Sequence, residues 1–206
     1  MKTPLPLTLA GCFLFALTAC SNAVLDPKYE RNPNPRQKRV VTATIDGAPG
    51  SFAEATASVQ YIIGPERTCM PSAEPFSGTF PTPERFPVTL PVRRLSDNRF
   101  EFDYYQDGML PKDYFGKGLC NWQVETVNLY LKSSNDPNQI GYSVSLFGGD
   151  IGRQQRTVFY AQRKLFAATT TIAGGIIDPA QRREDFERLY GSDPSKSFTI
   201  TIEAKE

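Results

Sequence analysis

The sequence predicts a mainly β protein, either an antiparallel β-sandwich or an open barrel, with one short C-terminal helix. From Val40 onward, about eight segments alternate apolar and polar residues with a period of two, as half-buried strands do. Turn residues separate these segments, and only one stretch has helical spacing. Because strands do not alternate with helices, a parallel α/β sheet is disfavoured.

The N-terminal half predicts two strands, a long loop and a β-hairpin. The loop is rich in proline and carries Cys69. The turn residues "SDN" join the last two strands, which is typical of a hairpin. In chain order the strands are residues 40–45 and 53–63, then, after the loop 64–87, residues 88–92 and 99–105.

The C-terminal half predicts four further strands. The strongest is "LCNWQVETVNLYLKS", and its alternation slips between Val124 and Val127, which indicates a β-bulge or burial on both faces. The others are residues 140–147, 156–162 and 197–204. In the last of these, Phe198, Ile200 and Ile202 are predicted to face inward and Thr199, Thr201 and Glu203 outward. "KLFAATTTI" is compatible with either strand or loop.

The exception to the β pattern is "DPAQRREDFERLYG". Asp178 can cap a helix, Pro179 suits its first turn, and Gln181 lies three residues after the cap. Gly191 can end the helix. One apolar stripe is predicted on it, formed by Phe186, Leu189 and Tyr190.

The N-terminus has the pattern of a secreted, acylated protein. Lys2 precedes an apolar run that is too short to span a bilayer. "LTAC" (Leu17 to Cys20) then resembles the lipobox of bacterial lipoproteins. The resemblance implies cleavage after Ala19 and a diacylglycerol on the Cys20 sulfur, and Ser21 implies an outer-membrane destination facing the periplasm. The alternative is an ordinary cleavage site with an incidental cysteine.

The chain therefore divides into a lipoprotein signal peptide (1–19), a polar lipidated tether (20–39) and a single β-rich domain (40–206). The full chain has 23 basic and 22 acidic residues, and one basic residue leaves with the signal peptide. The mature protein is thus neutral, which disfavours nucleic-acid binding.

Composition also argues against an enzyme. The chain contains no histidine, the usual general base and the commonest metal ligand. It has no nucleophile-elbow, phosphate-loop or zinc pattern. Asp103 and Asp107 could be read as the paired carboxylates of a glycosidase, but a chain with 22 acidic residues contains such pairs by chance. We therefore expect no catalytic residue, no metal and no cofactor.

Two cysteines remain for the folded domain, Cys69 and Cys120. Because the periplasm oxidises thiols, we predict a disulfide between them, with Trp122 packed beside it. Closing a loop of this length contributes about 4 kcal/mol in the chain-entropy model.

The loop "DYYQDGMLPKDYFGKG" (103–118) mixes aromatic residues with charges and glycines, the composition of a protein-contact surface. A disulfide would tie it to the Cys69 loop and lower the entropy cost of binding. The alternative is that the aromatic residues only close the end of the sandwich. The predicted partner contacts are Tyr104, Tyr105, Asp107, Met109, Asp113, Tyr114 and Phe115.

The lipobox, the small mature domain and the stretch "DYFGKGLCNW" (113–122) together resemble the immunity lipoproteins encoded beside type VI secretion effectors, particularly phospholipases. The resemblance implies a lipid-anchored inhibitor that binds a protein toxin, such as a lipase, in the periplasm and blocks its active site. One alternative is a structural or assembly lipoprotein of the outer membrane. Another is a small-ligand carrier that uses a barrel interior.

Overall fold

Two antiparallel sheets make up the part of the chain that the computed structural model describes, residues 22–64, 66–148, 156–169 and 179–205. Their strands are β1 (Lys38–Asp46), β2 (Glu54–Ile63), β3 (Arg85–Leu90), β4 (Val92–Ser96), β5 (Arg99–Tyr105), β6 (Trp122–Lys132), β7 (Gly141–Phe147), β8 (Arg156–Gln162), β9 (Ala180–Gln181) and β10 (Ser197–Lys205). One helix, α1 (Arg183–Tyr190), and two 3₁₀ turns, Arg163–Leu165 and Pro194–Lys196, complete these ranges. Cys20 and the rest of the lipobox lie outside them.

The sheets form a sandwich, as predicted. One has six strands in the order β4-β5-β1-β10-β8-β9, and the other has four in the order β3-β2-β6-β7. Within the described strands neither sheet closes on itself, so the two sheets are those of a sandwich and form no closed barrel. In the same ranges, no helix is long and apolar enough to cross a membrane.

The core lies between the sheets and follows the period-two pattern. Alternate residues of each central strand are fully buried, because successive side chains of a strand point to opposite faces. Both sheets contribute to one continuous apolar cluster, for example Val41, Ala43 and Ile45 from β1 and Val127, Leu129 and Leu131 from β6.

The predicted strand 88–92 is two strands in different sheets. β3 ends at Leu90 as an edge of the four-stranded sheet, and β4 begins at Val92 as an edge of the six-stranded sheet. Pro91 lies between them. It has no N–H to donate to a ladder, so the chain leaves one sheet here and enters the other.

The predicted bulge in β6 is confirmed. Gln60 of β2 lies opposite Thr126, whereas the next residue, Tyr61, lies opposite Val124. Glu125 is therefore the extra residue. Its carboxylate accepts hydrogen bonds from Gln60 Nε2 at 2.6 Å and from the Arg85 guanidinium at 2.8 Å.

The predicted start of the helix is wrong. Ala180 and Gln181 pair with β8 as strand β9, so Pro179 precedes a strand and not the first helical turn. The helix begins at Arg183, after the Arg182 cap position, whose side chain makes no capping bond. Gly191 ends it with φ 83°, as predicted, because this left-handed conformation suits glycine. The Asp178 cap lies outside the described residues.

Two predictions of which side chains are buried differ from the structure. Of the predicted helix stripe only Phe186 is buried, while Leu189 and Tyr190 are exposed. Thr201 of β10 is buried and not exposed, because it lies between Thr44 and Val158, directly opposite on the two flanking strands. The ambiguous stretch "KLFAATTTI" begins in a 3₁₀ turn and not in a strand, and its residues 170–172 are not described.

Candidate partner-binding surface

Three segments meet at one end of the sandwich, which we call the disulfide end: residues 22–37, the loop 64–84 and the loop 106–121. The predicted disulfide between Cys69 and Cys120 is confirmed and joins the two loops, with 5.3 Å between the Cα atoms. Both cysteines are buried together with Ile63 and Met70. The disulfide end is therefore held covalently as well as by packing.

The first of these segments is not a free tether. The carbonyl of Glu30 accepts a hydrogen bond from the Leu110 N–H at 2.9 Å, and the Asn32 N–H donates to the Gly108 carbonyl at 3.0 Å. Arg31 and Met109 thereby pair like neighbouring strands. Nearer the N-terminus, the Val24 N–H donates to Thr82 Oγ1 at 2.9 Å. Residues 24–37 thus belong to the folded domain.

Asp107 holds this segment and is not free for a partner. Its two carboxylate oxygens accept hydrogen bonds from the backbone N–H groups of Arg36 and Gln37, at 2.8 and 2.9 Å. Burial alone would raise the pKa of Asp107, but these N–H donors lower it below its ordinary value. The predicted contact residue is thus a structural acceptor.

Tyr29 explains why the segment docks. Its ring makes edge-on contacts with Trp122 and Tyr114, with centroids 4.7 and 5.2 Å apart, and also touches Phe86 and Phe115. Burial, with smaller effects of Tyr114 and Glu84, raises the pKa of Tyr29 to about 12. Trp122 packs against the disulfide cluster, as predicted.

Tyr104 and Met109, two of the predicted contacts, lie in the core. Each is only 1% exposed, so neither can meet a partner at the surface. Tyr104 belongs to the inward-facing residues of β5, and Met109 is covered by the docked segment. Tyr105 is half-buried, and its carbonyl accepts a hydrogen bond from the Tyr61 hydroxyl at 2.6 Å.

The remaining predicted contacts form a fixed loop at the surface. Asp113 is exposed, and its Oδ1 accepts hydrogen bonds from the N–H groups of Phe115 and Lys117, at 3.2 and 3.1 Å. Burial acts to raise its pKa, yet these bonds lower it. Tyr114 and Phe115 are half-buried, and the Tyr114 hydroxyl donates to the Leu110 carbonyl at 2.7 Å.

Leu119 is 59% exposed at the end of this loop and is not among the predicted contacts. The sequence pattern predicts it in the strand that contains Trp122, but β6 begins only at Trp122. A cleft of about 260 Å³ separates Leu119 from Arg67 on the other disulfide-linked loop. The sequence did contain a signal for this exposure. Leu119 directly precedes Cys120, and because neighbouring side chains point in different directions, burial of the Cys120 side chain would turn Leu119 outward.

The chain matches no known protein-family model, and no curated protein or solved structure is detectably similar to it. A functional assignment therefore rests on the chain's own residues.

Proposed function

We propose that the protein is a lipid-anchored, periplasm-facing lipoprotein of the outer membrane that binds and neutralises a toxic secreted effector, and that it has no catalytic activity of its own. One observation carries this proposal: the loop 106–121 is fixed in place while its last residue before the disulfide, Leu119, stays exposed. An immobilised apolar anchor is what a tight inhibitor needs, because little conformational entropy is lost on binding.

Three separate restraints hold the loop. The disulfide fixes its C-terminal end at Cys120, and the Asp113 turn fixes its middle. The packing of Tyr114 and Phe115 on Tyr29 fixes its inner face. A partner would thus meet a preformed surface.

The chemistry of this surface suits an apolar groove with a polar rim. Leu119 follows the exposed residues Lys117 and Gly118, and Arg67 lines the cleft beside it. A lipase has such a groove at its substrate entry. Side chains of both sheets fill the core, which favours loops over the interior as the binding site.

The test is titration calorimetry against the product of the reading frame next to this gene; a lipase-like sequence there would favour the proposal. Leu119→Asp places a charge in the predicted apolar contact and should weaken binding at least about thirtyfold, the effect of losing a central anchor worth about 2 kcal/mol. Leu95→Asp is the matched control, since Leu95 is similarly exposed on β4.

Equal affinities for the Leu119→Asp variant and the wild type would show that this surface does not bind the effector. Wild-type protein that binds no effector would instead favour the second candidate, a structural or assembly lipoprotein. In that role the disulfide end would bind other envelope proteins and hold them together.

A further inference from the structure

Exposed apolar side chains gather at the disulfide end beside the site described above. Phe76 is fully exposed, and Leu25 is 74% exposed. Val24 and Phe80, on the same two segments, are also partly exposed. None of these residues takes part in the fixed loop 106–121.

A tight turn presents Phe76. The Glu74 N–H donates to the Thr79 carbonyl and the Gly78 N–H donates to the Glu74 carbonyl, each at 2.9 Å. Gly78 has φ 66°, which favours glycine. Phe76 is at the tip of this turn, so its ring points away from the core without a neighbour to bury it.

The base of the same loop is fixed. The Arg67 guanidinium lies over the Phe80 ring, 4.9 Å from its centroid, and pairs with Glu84 at 2.7 Å. The hydrogen bond from Val24 to Thr82 then holds the N-terminal segment against this loop. Leu25 therefore lies next to the loop whose turn presents Phe76.

The position of the predicted acylation site, Cys20, indicates that this surface faces the membrane. Only residues 21–23 separate Val24 from Cys20. A fully extended chain over this interval spans at most about 14 Å. Because Val24 is bonded to the domain, the backbone of Cys20, which would carry the acyl chains, lies within that distance of Val24, the residue next to Leu25.

We propose that Leu25 and Phe76 insert into the phospholipid monolayer that holds the acyl chains of Cys20. This inference rests on the lipid anchor of the proposed function and not on toxin neutralisation. Apolar contact provides the attraction. Two nearby cations contribute little, since Lys28 pairs with Asp26 and Arg67 pairs with Glu84.

The experiment uses the full-length acylated protein in vesicles of phosphatidylethanolamine and phosphatidylglycerol, with acylation verified by mass spectrometry. A Phe76→Trp variant reports on the turn, and a Leu95→Trp variant reports on the opposite end of the sandwich. Wild-type protein gives the background of the chain's single tryptophan, Trp122.

We expect the emission of the Phe76→Trp variant to shift to shorter wavelength in vesicles and to be quenched by brominated phospholipids, in low and in high salt. The Leu95→Trp variant should show neither change. Equal quenching of the two variants would overturn the inference, as would the absence of an acyl group on Cys20. A shift without lipid quenching would indicate contact with a second copy of the chain and would also overturn it. No effector is present, so a failed insertion leaves toxin neutralisation untouched, whereas a missing acyl group would also contradict the lipid anchor of the proposed function.

Discussion

Two buried tyrosines differ in what their hydroxyl groups contact. Tyr61 is 3% exposed, and its hydroxyl donates to the Tyr105 carbonyl. Tyr104 is equally buried, but its hydroxyl has no hydrogen-bond partner in the described part of the chain. Burial raises the pKa of each to about 12, so both are neutral at physiological pH. The same side chain is therefore satisfied at one position and unsatisfied at the other.

Removing the two hydroxyl groups should change stability in opposite directions. Tyr104→Phe should raise the free energy of unfolding by about 1 kcal/mol, because an unpaired buried hydroxyl costs desolvation energy. Tyr61→Phe should lower it by a similar amount, since it leaves the Tyr105 carbonyl without this donor. Urea unfolding followed by circular dichroism measures both. A loss of stability in both variants would mean that the Tyr104 hydroxyl has a partner.

At the residue scale the sequence predicted burial well wherever the strand period was clear. Alternation predicts Phe100, Phe102 and Tyr104 on one face of β5, and all three are buried. Tyr104 was also predicted as a partner contact, because the composition of residues 103–118 is typical of a protein-contact surface. That composition misled for Tyr104, because the residue belongs to strand β5 and faces the core.

At the scale of elements, the docked segment 24–37 could not be foreseen. It has no apolar period, and its partners are far away along the chain: Asp107 is 71 residues from Arg36. A local pattern contains no information about such a contact. The bulge at Glu125 was predictable, in contrast, because a slip in alternation is itself a local signal.

Removing the Asp107 carboxylate should release this segment. We expect Asp107→Ala to lower the free energy of unfolding by about 2 kcal/mol, as for hydrogen bonds to a charged group. Trypsin should then cleave faster after Arg31 and Arg36, whose side chains are already exposed, because their backbone is released from the domain. Asp26→Ala is the control and should change neither quantity. Asp26 is exposed, and the contact described for it is an ion pair with nearby Lys28.

Limited proteolysis and hydrogen exchange follow the segment directly. Identical cleavage of the Asp107→Ala variant and the wild type would show that the Tyr29 contacts suffice to hold it.

For the whole molecule, the disulfide is the main covalent restraint on the fold. Cys69 and Cys120 are 51 residues apart, so the bond closes a long loop that includes β3, β4 and β5. Those strands belong to both sheets. The bond therefore restricts the conformational freedom of the unfolded chain over segments that belong to both sheets.

Replacing both cysteines by alanine should lower the free energy of unfolding by about 4 kcal/mol, mainly because the unfolded chain gains freedom. Equilibrium unfolding in urea gives the value, and near-ultraviolet circular dichroism shows whether the aromatic cluster of Tyr29 persists. A loss below about 1 kcal/mol would argue that the unfolded state is already compact around this loop.

The crossing at Pro91 has a consequence for how copies of the protein behave at high local concentration. It puts β3 and β4, one edge strand of each sheet, next to each other along the chain. An open strand edge invites pairing with another molecule and hence aggregation. Here Pro87 within β3 and Pro91 at the corner remove two donors, and Arg93 and Arg94 add charge. This side of the sandwich is thus a poor template for intermolecular β-pairing, even where copies of the protein lie close together.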